Sequence, residues 1–303
     1  LAIAQTRHVI AALKKIHPAL HIAVKEITTT GDKDRRTALW TLKETGFFTS
    51  QVEDALIARE ADFAVHSFKD LPTAQREGLT ITAVFDRNFV EDCLAAKQPL
   101  HRKASLTGDS IEKLPTGAKI GTSSLRRAAQ LKHLRSDLIP KPIRGNVQTR
   151  LRKLDAGQFD AVLLARAGLE RLSLADKISL ILDPAMFIPA PAQGALAVQT
   201  RADDVETNEI IALIDDENAR TTTVSERRIL TTMQCGCHAP VGAYAEIDSG
   251  NIHIRAFISD LEGENFISRE LAGPAKDAEK LAEKIAKELL GAGGKEILES
   301  LER

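Results

Sequence analysis

The chain has 303 residues, with 41 Lys and Arg against 42 Asp and Glu, a formal net charge of -1, 43% apolar, 27% charged and 4% aromatic residues. This is a globular composition, long enough for two or three domains. No apolar run reaches membrane-spanning length, and the start, interrupted by Arg7 and His8 without a small-residue cleavage site, is not a secretory signal.

In chain order, residues 1–17 read as an amphipathic helix ending near His17-Pro18, and Leu20 to Ile27 alternates as a strand with one buried face. Phe47 to Ala58 predicts a helix. Asp62 to His66 is a short apolar strand running into Ser67-Phe68-Lys69-Asp70-Leu71-Pro72, and Leu79 to Val84 is another. The pattern then breaks, so Asp86 to Thr116 reads as a long irregular linker with an exposed insertion. Ala118 to Gly121 ends a strand, and Gly121-Thr122-Ser123-Ser124 supplies a turn and an N-cap before a helix with Leu125, Ala128, Leu131 and Leu134 on its stripe. Ile139 to Ile143 is a strand whose two prolines restrict it to an edge. Phe159 to Ala165 is nearly all apolar and suits a strand covered on both faces, with a short helix over Ala167 to Leu172.

Pro184, Pro189 and Pro191 punctuate a linker, and Gly194 to Gln199 reads as a strand returning to the first domain, so that two crossings form a hinge beside a cleft. Residues 206–232 are helical with a break near Asn218. Val241 to Ile247, Ile252 to Ser259 and Phe266 to Leu271 predict an antiparallel sheet, followed by a helix over 274–290 that Gly291 stops. The expected domains are 1–92 with 194–205, 93–193, and 206–303.

The charge is not evenly spread. Between Arg126 and Lys153 lie nine Lys and Arg and one acid, Asp137. Arg126 and Arg127 fall in a first helical turn, where cations oppose the helix dipole, so an anionic ligand would explain them. Arg144 and Arg150 can approach the same mouth. Ordinary surface arginines are the plain alternative. No aromatic residues interleave for base stacking and no nucleic-acid motif is present, so a small polycarboxylate or phosphate fits better than nucleic acid.

Asp70 follows a buried strand and is a candidate acid/base or charge stabiliser, or else a turn-capping Asp before Pro72. His66 reads as a hydrogen-bonded structural residue rather than a general base. Three cysteines, Cys93, Cys235 and Cys237, are too few for a disulfide scaffold and fit a reducing compartment, the cytoplasm or an organelle stroma. Cys235-Gly236-Cys237-His238 lacks a second ligand pair at zinc spacing, so no metal is expected. On its residues alone, Cys237 reads as a buried, inert thiol.

The segments VHSFKDLPT, IGTSSLRR, IRGNVQTRLRKLD, AGLERL, PAPAQGALAV and GCHAPVGAYAE, in this order, resemble the porphobilinogen deaminase (hydroxymethylbilane synthase) family essentially throughout the chain. The resemblance implies three α/β domains, the first two built like periplasmic binding proteins around a hinged cleft and the third a small antiparallel sheet with helices. It implies a monomeric transferase that joins four porphobilinogens head to tail with release of ammonia, and a dipyrromethane held through a thioether to Cys237. By motif, Asp70 is the catalytic carboxylate that stabilises the cation formed as ammonia leaves. Ser67, Lys69, Thr122, Ser123, Arg126, Arg127, Arg144 and Arg150 would bind the cofactor, and Arg171 and Gln193 the substrate and growing pyrrole chain. No membrane partner is implied.

Three departures from the family pattern stand out. Its Arg-x-Ser-Pro segment would lie just before Leu1, its glycine-rich lid is replaced around Lys43-Glu44-Thr45-Gly46 with Thr45 where it has lysine, and the insertion near Lys97 to Asp109 is longer. They keep open a catalytically degenerate member. A non-enzymatic two-domain binder of small carboxylated anions explains the hinge and arginines equally well, but not Cys237 together with Asp70.

Overall fold

The computed structural model describes residues 1–29, 49–97, 111, 112, 114–236 and 239–301. Three sheets, each with its own apolar core, organise them. The first has the order β1-β8-β2, from β1 (Phe63–Ser67), β2 (Leu79–Phe85) and β8 (Leu196–Arg201), all antiparallel. The whole of β8 is buried, which fits its central place. Helix α1 (Ala2–Ile16) lays Val9 and Leu13 against Ala83, Leu196 and Val198. On the other side, α2 (Ser50–Ile57) contributes Leu56 to a cluster with Ala64 and Leu79.

The second sheet has the order β5-β4-β6-β3-β7. In it β4 (Lys119–Gly121), β5 (Ile139–Lys141), β6 (Ala161–Ala165) and β7 (Leu180–Ile181) run in one direction and β3 (Asp92–Ala96), between β6 and β7, runs against them. Leu94, Ile120 and Leu163 enter one core, while Cys93, Ala95, Val162 and Leu164 enter another on the opposite face. Covered faces explain the unbroken apolar run of β6, and the prolines put β5 at the edge. Helices α3 (Leu125–Leu134), α4 (Val147–Asp155) and α5 (Arg166–Glu170) belong to this sheet.

After α6 (Val205–Ala212) and α7 (Glu217–Thr232), the meander β9 (Val241–Asp248), β10 (Asn251–Ser259) and β11 (Phe266–Pro274) forms the third sheet. Ile229 and Leu230 of α7 pack on it together with Ala282, Ile285 and Leu289 of α8 (Ala278–Leu289).

Several expectations need correction. Leu20 to Ile27 joins no ladder among the described residues; Leu20 and Ile22 lie against the first core, but Val24 is exposed, so the alternation marks partial burial without a partner strand. The span 86–116 is not all linker, because Asp92–Ala96 is an interior strand of the second sheet. The break before α7 falls at 213–216 rather than at Asn218. The helix expected over 274–290 begins later, at Ala278 after a 3-10 turn over Ala275–Asp277, and ends near the expected place at Leu289, where the chain kinks through Gly293, φ 114°, into α9 (Lys295–Leu301). The segment around Thr45 and residues 98–109 of the insertion lie outside the described residues.

The chain crosses between the first two sheets at 86–91 and again at 182–195. Asp86, Phe89 and Ala192 have φ of 51°, 54° and 63°, and Gly194 has φ 90°. A Cβ on Gly194 would meet the Asn88 carbonyl at 2.6 Å, so the two crossings touch there.

His66 is buried on β1, with Nε2 3.1 Å from Gln199 Oε1, and Gln199 Nε2 donates to Glu53 Oε1 at 3.1 Å. Burial pushes the His66 imidazole down to about 4, only partly opposed by the Gln199 bond. The unfolded chain therefore binds more protons than the native one between pH 6.5 and 4, and stability falls as pH falls through that window by about 3 kcal/mol. In urea titrations across pH 4–7, His66→Gln is expected to flatten this dependence, and an unchanged acid slope would refute the assignment.

Candidate active site

The strand β1 ends on a segment that carries both a carboxylate and a lysine, at the edge of the first sheet. Its alternation turns His66 to the α2 side and Ser67 towards α1, where Gln5 Nε2 donates to Ser67 Oγ at 2.8 Å. A 3-10 turn over Phe68–Asp70 follows, with Phe68 buried as its anchor. Arg227 of α7 secures the turn from below. Its Nη1 donates to Phe68 O at 3.2 Å and Leu71 O at 2.9 Å, and its guanidinium stacks 4.6 Å from the Phe68 ring centroid. Asp70 is left exposed and Lys69 half-buried. Nothing in the motif pointed to Arg227, which lies far away in sequence.

The arginine pair is arranged differently from the expectation of a ligand-facing helix start. Ser124 caps α3, accepting from Arg127 N at 3.4 Å. Both guanidiniums then turn inward, to 4% and 7% exposure, onto Asp92, which is itself fully buried. Arg126 donates from Nη2 to Asp92 Oδ2 at 2.7 Å and from Nη1 to Ile188 O at 2.6 Å. Arg127 donates to Asp92 Oδ1 from Nη2 at 2.7 Å and from Nε at 3.0 Å. The anion that two cations in a first helical turn demand is thus, in this state, the protein's own carboxylate. Burial would raise the Asp92 carboxyl, but the two guanidiniums and Gln193 override it and hold the group well below the usual carboxylate range.

Gln193 joins this pair to the β1 turn. Its Nε2 donates to Asp92 Oδ1 at 2.9 Å and to Val90 O at 2.8 Å, while its Oε1 accepts from Lys69 Nζ at 3.1 Å. Burial pushes the Lys69 ammonium down to about 8, with Asp70 and Asp92 opposing the shift and Arg127 and Arg126 adding to it.

Because β4 and β5 run parallel, α3 and α4 both start at the same end of the sheet. Thr122 Oγ1 accepts from Ser124 N at 3.2 Å, and Ser123 Oγ donates to Ile143 O at 2.5 Å. These two hydroxyls therefore brace the turn. Asn146 caps α4, and Arg150 Nε donates to Gly145 O at 2.8 Å, beside Arg144. Burial pushes Arg150 down to about 10, helped by Arg127 and Arg144 and opposed by Asp70.

Lys69, Asp70, Arg126, Arg127, Arg144, Arg150 and Gln193 thus come together, with Asp92 as the member the sequence reading missed. Ser67 bonds to α1 instead. Arg171, at the end of α5, sits at the crossings, donating to Asp86 O at 2.9 Å and Gly194 O at 2.5 Å. Cys237 lies outside the described residues, on the connection from α7 to β9.

Residues 1–209 match the family model described as porphobilinogen deaminase, dipyromethane cofactor binding domain, and residues 220–291 match porphobilinogen deaminase, C-terminal domain. The chain belongs to the porphobilinogen deaminase family. Among its curated relatives, the porphobilinogen deaminase of Desulforudis audaxviator is 43% identical over 98% of this chain and 94% of its own. That of Syntrophobacter fumaroxidans is 38% identical over 100% and 95%, and that of Synechococcus elongatus 38% over 99% and 92%. The expected deaminating transferase of tetrapyrrole biosynthesis, a hydroxymethylbilane synthase with a dipyrromethane cofactor, follows from this membership. The periplasmic aliphatic sulphonate binding protein SsuA of Escherichia coli overlays only loosely, at 15% identity and TM-score 0.37 over 77% of this chain and 67% of its own.

The residues fit a pyrrole carrying carboxylate side chains. Five cations, Lys69, Arg126, Arg127, Arg144 and Arg150, face one another's fields, with Asp70 and Asp92 among them. Two helix starts add their partial positive charge at the same sheet end. No helix of the described residues is long and apolar enough to cross a membrane, and they contain no cluster of His, Cys, Asp and Glu able to hold a metal ion.

Proposed function

We propose that the cluster at the ends of β1, β4 and β5 is the site where porphobilinogen units are joined, with Asp70 as its catalytic carboxylate. The observation that carries this reading is the exposed Asp70 at the rim of a group of buried and half-buried cations. Lys69, Arg127, Arg144 and Arg150 bind the acetate and propionate groups, and Arg126 supports Arg127 from the interior. Asp70 stabilises positive charge that develops on the substrate as ammonia departs, and moves a proton at the pyrrole nitrogen. Thr122 and Ser123 shape the turn whose backbone amides complete the carboxylate cradle. Gln193 orients Lys69, Ser67 holds the β1 turn to α1, and Arg171 acts on substrate passage from the crossings.

When bound, dipyrromethane supplies the pyrrole end to which the first substrate is coupled. Its attachment point in this reading is Cys237. Residues 1–92 with 194–205, 93–193 and 206–303 are the three domains of a monomer working in a reducing compartment, the cytoplasm in a bacterium. The three cores and the two crossings support three units, with the bounds moved in two places: Asp92 opens β3 of the second sheet, and Ile211 and Ile214, beyond residue 205, pack in the first core. The buried thiol of Cys93, outside any disulfide, suits a reducing compartment.

Intact mass of protein made in cells producing porphobilinogen, with peptide mapping, tests the attachment. An adduct of two pyrrole units on the Cys237 peptide is expected, and Cys237→Ala should carry none. An adduct on Cys235, or loading of Cys237→Ala at the level of the parent protein, would overturn it.

A further inference from the structure

Asp92 lies in none of the motifs that carry the family resemblance, yet the ties at the centre of the cluster run through it. Its Oδ2 takes Arg126, and its Oδ1 takes Arg127 and Gln193, the residue that accepts from Lys69. A carboxylate has about four lone-pair sites, and these contacts engage both of its oxygens. β3 is paired on both sides, to β6 and β7, so the carboxylate is anchored in the sheet interior and cannot follow a ligand outward. The two guanidiniums lie on consecutive residues and repel each other; one fully desolvated negative charge between them offsets that repulsion and sets their orientation. Arg127 is aimed further by its Nη1 bond to Leu163 O at 3.3 Å.

We infer that Asp92 is a positioning residue for the deaminase reaction: it aims Arg127 and, through Gln193, the Lys69 ammonium into the arrangement that receives pyrrole carboxylates. The inference rests on the reading of the cation cluster as the pyrrole site. It explains why a fully buried acid stands in an anion-binding site: its charge holds the arginine pair from behind and sets the direction of their donors. It also gives Lys69 a dependence on Asp92. Asp92 is among the charged groups that hold a proton on that ammonium, so loss of its charge lowers the proton affinity of Lys69.

The test compares Asp92→Asn with the parent in three measurements: circular dichroism for folding, the rate of dipyrromethane loading by intact mass on adding porphobilinogen to cofactor-free protein, and the pH dependence of Lys69 labelling by an amine reagent. A folded Asp92→Asn is expected to load at least tenfold more slowly, with its Lys69 labelling midpoint moved below the parent's value near 8. Parent-like loading and labelling in the folded variant would overturn the inference. Arg127→Leu separates the two readings. If it loads like the parent, the cluster is not the pyrrole site; if it fails while Asp92→Asn behaves like the parent, only the role of Asp92 falls. Should Asp92→Asn not fold, Gln193→Met decides, since it leaves both ion pairs in place and removes the Gln193 oxygen that accepts from Lys69. Slower loading with a lower labelling midpoint supports the inference, and no change in either refutes it.

Discussion

Asp70→Asn is expected to fold normally and to carry the dipyrromethane, yet to turn over porphobilinogen about 10²–10⁴-fold more slowly, the usual contribution of a positioned acid/base group. The argument is electrostatic. The neighbourhood of Asp70 is dominated by cations that suit carboxylates of the substrate but oppose any positive charge appearing on its ring. Asp70 is the exposed carboxylate in that neighbourhood, Asp92 being enclosed by Arg126, Arg127 and Gln193. Its backbone is set by Arg227 and by the buried Phe68, so an isosteric amide should leave the turn in place. Progress curves of porphobilinogen consumption, normalised to the loaded fraction from intact mass, measure the effect. Near-parent turnover would remove Asp70 from the chemistry.

The largest stability loss is expected where the crossings meet the third sheet. Glu226 of α7 is 1% exposed. Its Oε1 accepts from Arg87 and from Ala245 N at 2.7 Å, and its Oε2 accepts from Ala192 N at 2.6 Å. One buried carboxylate thus ties the first crossing, the left-handed Ala192 of the second crossing, and β9. Burial raises its carboxyl, with Arg87 and the two backbone donors opposing. Arg87→Leu leaves this charge enclosed without its partner and should cost about 3–5 kcal/mol. Adding Glu226→Gln to Arg87→Leu removes the stranded charge, so the double variant should be less damaged than the sum of the single changes. Denaturant unfolding of the four proteins gives the coupling, and strict additivity would contradict the role assigned to this pair.

Much of this molecule follows from local chemistry. Ser124 caps its helix as Ser does wherever an apolar-periodic run follows, because its side chain satisfies an amide that the helix leaves open. The unbroken apolar run at Ala161–Ala165 announces a strand covered on both faces, and the turn signals of the last third announce the meander. The motif segments, through their order, announced the family and with it the chemistry.

Tertiary structure decided the rest. The run Asp92–Ala96 offers only four apolar residues behind an acid, a weak local signal, and it becomes an interior strand because β6 and β7 pair with it across 65 or more residues of chain. Conversely, the clear alternation of Leu20–Ile27 has no ladder among the described residues, since a strand needs a partner as well as a pattern. The arginine pair shows the same division. A local excess of positive charge is legible in the sequence, but whether a guanidinium faces a ligand or an internal carboxylate depends on which distant acid folding brings beside it. Here that acid is Asp92, 34 residues from Arg126 and 35 from Arg127, and burial makes its claim on them strong.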